Sequence, residues 1–261
     1  MQWLIHVPLK HSHRWGGALA LVLGIVVRSR GFSRSPLGWG IVLMLGCLLP
    51  APAQTSNAPV APTLKDVNHA MSQAETIFTR FVQERHLSLF TEPLRSEGFL
   101  CFQKPGRIRW EITQPYKSIL VSDGAGVAQF EWVEDKWKKL DVGLAAAMQN
   151  VVSQIAGVME GRYSSNQRDY EATLTNAAGG PVITLVPRNE AMRKMMQAIE
   201  VHLTPDLKGT RRVVLRETGG DYTDIRFEDQ QVGWSLPPRT FDRNAPLAVE
   251  EIKKNAGKRG N

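Results

Sequence analysis

Residues 98–124 constrain the fold more than any other stretch, because they read as β-strands separated by two well-marked turns. In Lys104-Pro105-Gly106-Arg107, the proline suits a backbone φ of about −65° and the glycine suits a positive φ, as in a type II turn. A hairpin should therefore join about residues 98–103 to about residues 107–113. Gln114-Pro115 ends the second arm, because proline cannot donate to a sheet.

The second arm of this hairpin has the two-residue period of a strand with one buried face and one solvated face. Its apolar positions are Ile108, Trp110 and Ile112, and the polar positions between them are Arg107, Arg109 and Glu111. The pattern predicts that Trp110 points into an apolar interior and that the charged side chains face water.

Further strands are predicted along most of the chain after this hairpin. The segments are 118–122, 127–133, 137–140, 170–174, 182–186, 200–203, 211–217 and 222–229. A helix should precede them, because apolar residues recur at three- and four-residue spacing from Leu64 to Phe78 and Thr63 can cap it. The sequence thus predicts an α+β fold that is mainly antiparallel β.

The segment from Val142 to Met159 has apolar residues at helical spacing and no charged residue. A helix that turns one face to water usually carries lysine and glutamate there. We therefore expect this helix to move between contacts or to close over an apolar surface. The alternative is an ordinary helix of the core.

The basic charge of the chain lies in its leader. The first 53 residues hold five of the 32 basic residues and none of the 25 acidic ones, so residues 54–261 carry 27 basic against 25 acidic residues. So small an excess cannot neutralise many phosphates, which argues against a nucleic-acid partner.

Residues 1–53 read as a leader with a signal peptide. Arginines precede an apolar run from Trp39 to Leu49, and Ala51-Pro52-Ala53 follows as a cleavage site. Cleavage there would export the mature protein to the periplasm. Acylation of Cys47 is the alternative to this cleavage. The apolar run at residues 17–27 has two explanations, an over-long start or a membrane anchor.

The expected domain boundaries follow from composition. Residues 54–63 should form a flexible lead-in, residues 64–242 a single domain and residues 243–261 a charged, disordered tail.

No catalytic or metal-binding pattern is present in the sequence. After the leader, the histidines are His69, His86 and His202, and none has a second ligand at metal-site spacing. Cys101 lies in a strand pattern and is expected to be buried and inert. We therefore expect neither an enzyme nor a cofactor.

Three motifs resemble the LolA-like family of periplasmic outer-membrane lipoprotein carriers. They are F-x-x-F-x-Q at Phe78–Gln83, G-x-L-x-F-x-K-P-x-x-x-x-W at Gly98–Trp110, and Q-P-x-x-S-I-L-V-S-D-G at Gln114–Gly124. The resemblance extends over about residues 64–241, and beyond Trp132 it depends on the order of the elements.

The resemblance implies a strongly curved sheet, or incomplete β-barrel, whose concave side is covered by helices. It implies a monomeric carrier of acylated lipoproteins, loaded at an inner-membrane ATP-driven transporter and unloaded to an outer-membrane receptor. Residues expected to line the cavity are Leu100, Phe102, Trp110, Ile119, Val121, Met148, Val152 and Ile155.

One position departs from the family pattern. Where the family has an arginine that bonds the backbone of the helical lid, this chain has Lys104. Lysine offers three donors on a flexible stem, so the latch should be weaker, or Arg107 or Arg109 should replace it. Two alternatives therefore stay open: a carrier of another amphipathic lipid, such as a glycolipid or pigment lipid, and a periplasmic scaffold that carries nothing.

Overall fold

One antiparallel sheet of eleven strands forms the body of the protein. The structure, a computed structural model, describes residues 61–140, 155–163, 169–177 and 179–255. The strands are β1 Thr76–His86, β2 Leu94–Gln103, β3 Arg107–Gln114, β4 Ser118–Asp123, β5 Val127–Val133, β6 Lys136–Lys139, β7 Tyr170–Ala177, β8 Gly180–Pro187, β9 Met196–Leu203, β10 Thr210–Glu217 and β11 Tyr222–Val232.

The order of strands across the sheet is β6-β5-β4-β3-β2-β1-β11-β10-β9-β8-β7. Strands β1–β6 form one run of neighbouring strands, and β7–β11 form a second. The edge strands are β6 and β7, which lie at opposite edges, so the sheet is not closed on itself. Pairing of β1 with β11 joins the two halves, and every pair is antiparallel. The predicted fold class is confirmed.

The helices in the described part of the chain are short. They are α1 Leu64–Ser72, the helical residues 155–159, α2 Glu190–Arg193, a 3-10 helix at Pro238–Phe241 and α3 Val249–Asn255. Thr63 caps α1 as predicted: Asp66 N donates to Thr63 Oγ1 at 3.3 Å, and Thr63 N donates to Asp66 Oδ2 at 2.8 Å. This reciprocal cap fixes where the chain enters the domain.

The face of the sheet that carries Trp110, here called the inner face, holds the larger core. Cross-strand pairing places Trp110 between Leu100 and Leu120, and Ile108 beside Phe102. Val67 and Met71 of α1 pack against this face, and so do Ala156, Val158, Met159 and Tyr163 from the 155–163 segment. Helical elements therefore cover part of the inner face, as predicted.

A glycine lets two inner-face strands approach closely. A Cβ at Gly98 would lie 1.8 Å from the backbone oxygen of Glu111 and 2.8 Å from Cζ of Phe81. Because no side chain fits there, the ring of Phe81 can lie against the neighbouring strand.

The opposite, outer face of β1–β5 is also apolar, which corrects the prediction for two residues. Ile119 pairs with Glu111 and Val121 pairs with Arg109, so both point away from Trp110. They pack in a second core with Phe78, Cys101, Ala128 and Phe130. The sequence missed this because β4 is buried on both faces, and an unbroken apolar run does not show which side faces which core.

The C-terminal segment covers this outer core, so the predicted disordered tail is wrong for residues 243–255. Phe241, Leu247 and Ile252 are buried against the outer face. Apolar residues at 247, 249 and 252 are too few to have predicted a packed helix among so many charges. Residues 256–261 lie outside the described part of the chain.

Arg109 fastens the C-terminal segment, and the prediction that Arg109 and Glu111 face water is wrong. Arg109 is 1% exposed and Glu111 5%. The guanidinium donates to Glu111 Oε2 at 2.8 and 3.0 Å, to Thr240 O at 3.3 Å and to Leu247 O. Burial raises the pKa of Glu111, although the charge of Arg109 opposes that rise. The strand alternation was read correctly, but its polar side is buried by residues distant in sequence.

Candidate apolar binding site

Three aromatic rings stand at the centre of the inner face. Phe81 and Trp110 lie with ring centroids 4.2 Å apart, and Phe227 meets Trp110 edge-on at 6.5 Å. The rings come from β1, β3 and β11, which the pairing of Phe81 with Phe227 brings side by side. Such clusters offer a large apolar area with few polar atoms.

The apolar surface continues beyond the buried core. Phe227, Leu215, Leu174 and Ala172 pack against the core but stay half-buried. Register places them on the same face: Leu174 pairs with Ile183, and Ala172 pairs with Leu185. We call these four residues the apolar fringe. It could bind an apolar ligand that extends the core across β7, β10 and β11.

The inner face also carries buried polar side chains, among them Gln83, which pairs across the sheet with Ile225, and Thr223, which pairs with Arg85. In the apolar part of this face, Trp110 Nε1 and Tyr170 OH are buried and have no hydrogen-bond partner among the described residues. Burial, followed by the charge of Asp169, raises the pKa of Tyr170 to about 12, so its hydroxyl stays neutral. Two neutral donors on an apolar surface suit a ligand with a few carbonyl or ester oxygens.

The predicted lining residues divide into three groups. Leu100, Phe102 and Trp110 lie on the inner face and are buried, and Ile155 packs half-buried against the same core. Ile119 and Val121 lie on the outer face. Met148 and Val152 lie outside the described residues. Helical structure at 155–159 agrees with the end of the predicted helix, whose earlier part also lies outside them.

Sequence reasoning missed the apolar fringe. In the predicted strand at 222–229, Ile225 and Phe227 alternate with Asp224, Arg226 and Glu228. The two-residue period was therefore available as a signal. What the sequence lacked was the pairing of β11 with β1, which brings Phe227 beside Phe81.

The turn between β2 and β3 contacts the elements that cover the inner face. Lys104 Nζ donates to Ser72 O at the end of α1 and lies 3.7 Å from Glu75 Oε1. Gly106, with φ of +60°, donates its N–H to Glu160 Oε1 at 3.1 Å. Arg107 is exposed, and Arg109 lies on the other face and cannot replace Lys104 here.

Glu160 was not predicted as a site residue, and it directly follows the helical residues 155–159. Its side chain is 13% exposed and also pairs with Arg162 at 2.5 Å. It links the β2–β3 turn to the segment that packs on the inner face. No spacing in the sequence signals a contact between residues 106 and 160.

Reactive chemistry has little support among the described residues. No group of three or more histidine, cysteine or acidic side chains there could hold a metal ion. Burial raises the pKa of Cys101 to about 12, which makes the thiol a poor nucleophile. Within the same residues, no helix has the length and apolar character needed to cross a membrane.

Comparison with known proteins gives the family. The family model described as "Outer membrane lipoprotein carrier protein LolA" matches residues 72–244. The chain belongs to the LolA family. The match includes the inner face and the β2–β3 turn, and it ends within the segment that covers the outer face.

Relatives in the LolA family are distant. An outer-membrane lipoprotein carrier protein of Nitrosomonas europaea is 24% identical over 214 residues, which cover 82% of this chain and 97% of the relative. Its counterpart in Bordetella avium is 26% identical over 168 residues, covering 62% and 73%. A solved LolA superfamily protein from N. europaea is 8% identical, covers 70% of this chain and 99% of its own, and superposes with a TM-score of 0.39. That score is too low to carry a structural argument.

Proposed function

We propose that this protein is a carrier that shelters the acyl chains of lipoproteins on its inner face. The observation that carries the proposal is the apolar fringe, which continues the core at the surface of an unclosed sheet. Membership of the LolA family supports the same role. Such a carrier binds its cargo and returns it unchanged, so it needs no catalytic group.

The energetics explain why acyl chains need a carrier. Burial of one methylene group contributes about 0.8 kcal/mol, so a chain of about 16 carbons exposed to water would cost about 12 kcal/mol. Diffusion of a free acylated protein between two membranes is therefore negligible. An apolar surface on the carrier that buries the acyl chain offsets this cost during transit.

The route we propose runs across the periplasm, from the inner membrane to the outer membrane. An ATP-driven transporter of the inner membrane would load the carrier, and a receptor of the outer membrane would unload it. The family name supports the outer membrane as destination. Export would follow from the leader at residues 1–53, which lies outside the described part of the chain.

Opening of the inner face would involve the β2–β3 turn. Lys104 fastens this turn to α1, and Glu160 fastens it to the 155–163 segment. These bonds join the turn to α1 and to the 155–163 segment, and both elements pack on the core of the inner face. A bound cargo would extend this core. We propose that they hold the empty carrier shut and break on loading, with Lys104 in the role of latch.

Displacement of a fluorescent fatty acid by acylated peptide tests the binding site. Leu174→Ser should weaken binding about tenfold, because a polar hydroxyl replaces half-buried apolar surface of the fringe. Thr173→Ala is the matched control, since Thr173 is exposed on the other face of the same strand. Equal binding by both variants would remove the fringe from the site.

The nature of the cargo is a separate question. Native mass spectrometry of protein purified from the periplasm should show an adduct with the mass of an acylated polypeptide. An adduct of lipid mass alone would favour a carrier of glycolipids or pigment lipids. No adduct under any gentle extraction would favour a scaffold and would overturn the proposal.

A further inference from the structure

The turns of the sheet divide between two ends. β1 ends at His86, which pairs with Tyr222 at the start of β11. Because all neighbours are antiparallel, the β1–β2, β3–β4, β5–β6, β8–β9 and β10–β11 connections lie at this end. The β2–β3 turn with Lys104 and Glu160 lies at the other end.

Exposed apolar side chains concentrate at one of these ends. Of the eight large hydrophobic residues that are exposed in the described ranges, seven lie at the β1–β2 end. These seven, here called the apolar rim, are Leu89, Phe90, Tyr116, Trp132, Val133, Val186 and Met195. The eighth, Val232, pairs with Ile77 at the opposite end. Single exposed apolar residues are ordinary, but this asymmetry is not random scatter.

The most exposed of these residues is held on a fixed loop. Leu89 is 90% exposed. Ser88 N donates to Asp221 Oδ1 at 2.7 Å, and Phe90 N donates to Leu87 O at 2.9 Å. These bonds hold the backbone on both sides of Leu89, whose side chain points into solvent. A fixed apolar tip loses little conformational entropy when it is buried by a partner.

We propose that the apolar rim is the surface with which this protein touches a lipid bilayer. Its residues belong to the β1–β2, β3–β4 and β8–β9 connections and to the last residues of β5 and β8, so they are spread along this end of the sheet and do not belong to one element. The exposed Glu92 and the exposed Gly219-Gly220 pair lie in connections at the same end of the sheet. A fluid bilayer accepts separate apolar tips, whereas a protein partner needs a continuous complementary patch.

The aromatic residues of the rim suit the membrane–water interface. Tyr116 is 60% exposed, and Lys117 Nζ lies 5.1 Å from the centroid of the Trp132 ring. Tyrosine and tryptophan settle at the level of the lipid headgroups, where their rings are buried and their polar atoms stay wet. A neighbouring lysine can extend its ammonium group to the phosphates.

Charges near the rim predict which lipids it needs. Lys138 pairs with Glu134 at 2.8 Å and Lys194 pairs with Glu190 at 3.4 Å, so acids offset the charge of these two lysines. Attraction to anionic headgroups should therefore be small. Insertion of apolar side chains must supply the binding, and zwitterionic lipid should suffice.

Flotation with phosphatidylcholine vesicles tests the proposal on protein purified from the periplasm in its processed form. Wild-type protein should float with the vesicles. Leu89→Ser/Phe90→Ser should lower the partition coefficient by at least about tenfold, because two apolar side chains no longer insert. Tyr116→Ser, on a different turn, should lower it less. Val232→Ser is the control, because it removes an exposed valine at the other end.

The outcomes separate this proposal from the alternatives. Absence of flotation by wild type, or equal loss in Val232→Ser, would overturn it and favour a protein partner. Binding that needs phosphatidylglycerol and disappears in high salt would also overturn it, since that is electrostatic adsorption. The proposal does not depend on the cargo site: rim variants should bind fluorescent fatty acid as wild type does.

Discussion

Arg109 joins the sheet to the C-terminal segment that covers its outer face. Its guanidinium is buried, neutralises Glu111 and donates to two carbonyls of the C-terminal segment. Arg109→Met should therefore lower the free energy of unfolding by about 3–5 kcal/mol, because it leaves a buried carboxylate without its partner. Urea denaturation measures this loss.

The neighbouring Arg107 provides the control for this prediction. Arg107 lies two residues away on the same strand but is exposed, so Arg107→Met should change the unfolding free energy by no more than about 0.5 kcal/mol. Arg109→Met/Glu111→Leu should recover part of the loss, because no buried charge remains. Equal stability of the two single variants would contradict the role of Arg109.

Glu200 gives a prediction about pH. Hydrogen bonds from Arg216 lower the pKa of Glu200 below its usual 4.5. An acid with a lowered folded pKa stabilises the fold above its unfolded pKa, and this contribution disappears as the pH falls through the folded value. Wild type should exceed Glu200→Gln in unfolding free energy at neutral pH, and the difference should shrink as the pH falls below 4.5 and vanish below the lowered folded pKa. A difference that stays constant over this range would show that ionisation of Glu200 contributes nothing.

At the scale of elements, the β2–β3 turn couples the sheet to the 155–163 segment through one side chain. Glu160→Ala removes the acceptor of the Gly106 N–H. Amide exchange at Gly106 and at residues 160–162 should become faster, while exchange around Trp110 should not change. Glu190→Ala, an exposed acid on α2, is the control. Unchanged exchange at all these amides would mean that the segment is held by its apolar packing alone.

The elements also show what local sequence can predict. The hairpin around Gly106 and the cap at Thr63 follow from turn geometry and capping chemistry, and both are found in the structure. The side-chain period of β3 separates two faces as predicted, but both faces are buried. The predicted face of Ile119 and Val121 was wrong, and so was the prediction that residues 243–255 are disordered. Both depend on which distant segment covers a strand, and neither turn residues nor periodicity encodes that.

At the scale of the whole molecule, an unclosed sheet has two apolar faces with different covers. The outer face of β1–β5 is covered by the chain's own C-terminal segment, which Arg109 anchors, and Phe99, Trp137, Trp234 and Leu236 stay partly buried there. Within the described residues, the inner face leaves Ala172, Leu174, Leu215 and Phe227 half-buried. A carrier needs two such faces, because one face must hold the fold together while the other receives cargo.

Photo-crosslinking with a diazirine-labelled fatty acid tests this account most directly. The probe should insert into inner-face peptides that contain Leu174, Leu215 and Phe227, and excess unlabelled acylated peptide should prevent the labelling. Peptide mass spectrometry assigns the sites. Labelling confined to outer-face residues such as Ile119 and Val121, or labelling that the acylated peptide does not reduce, would contradict an acyl-chain site on the inner face.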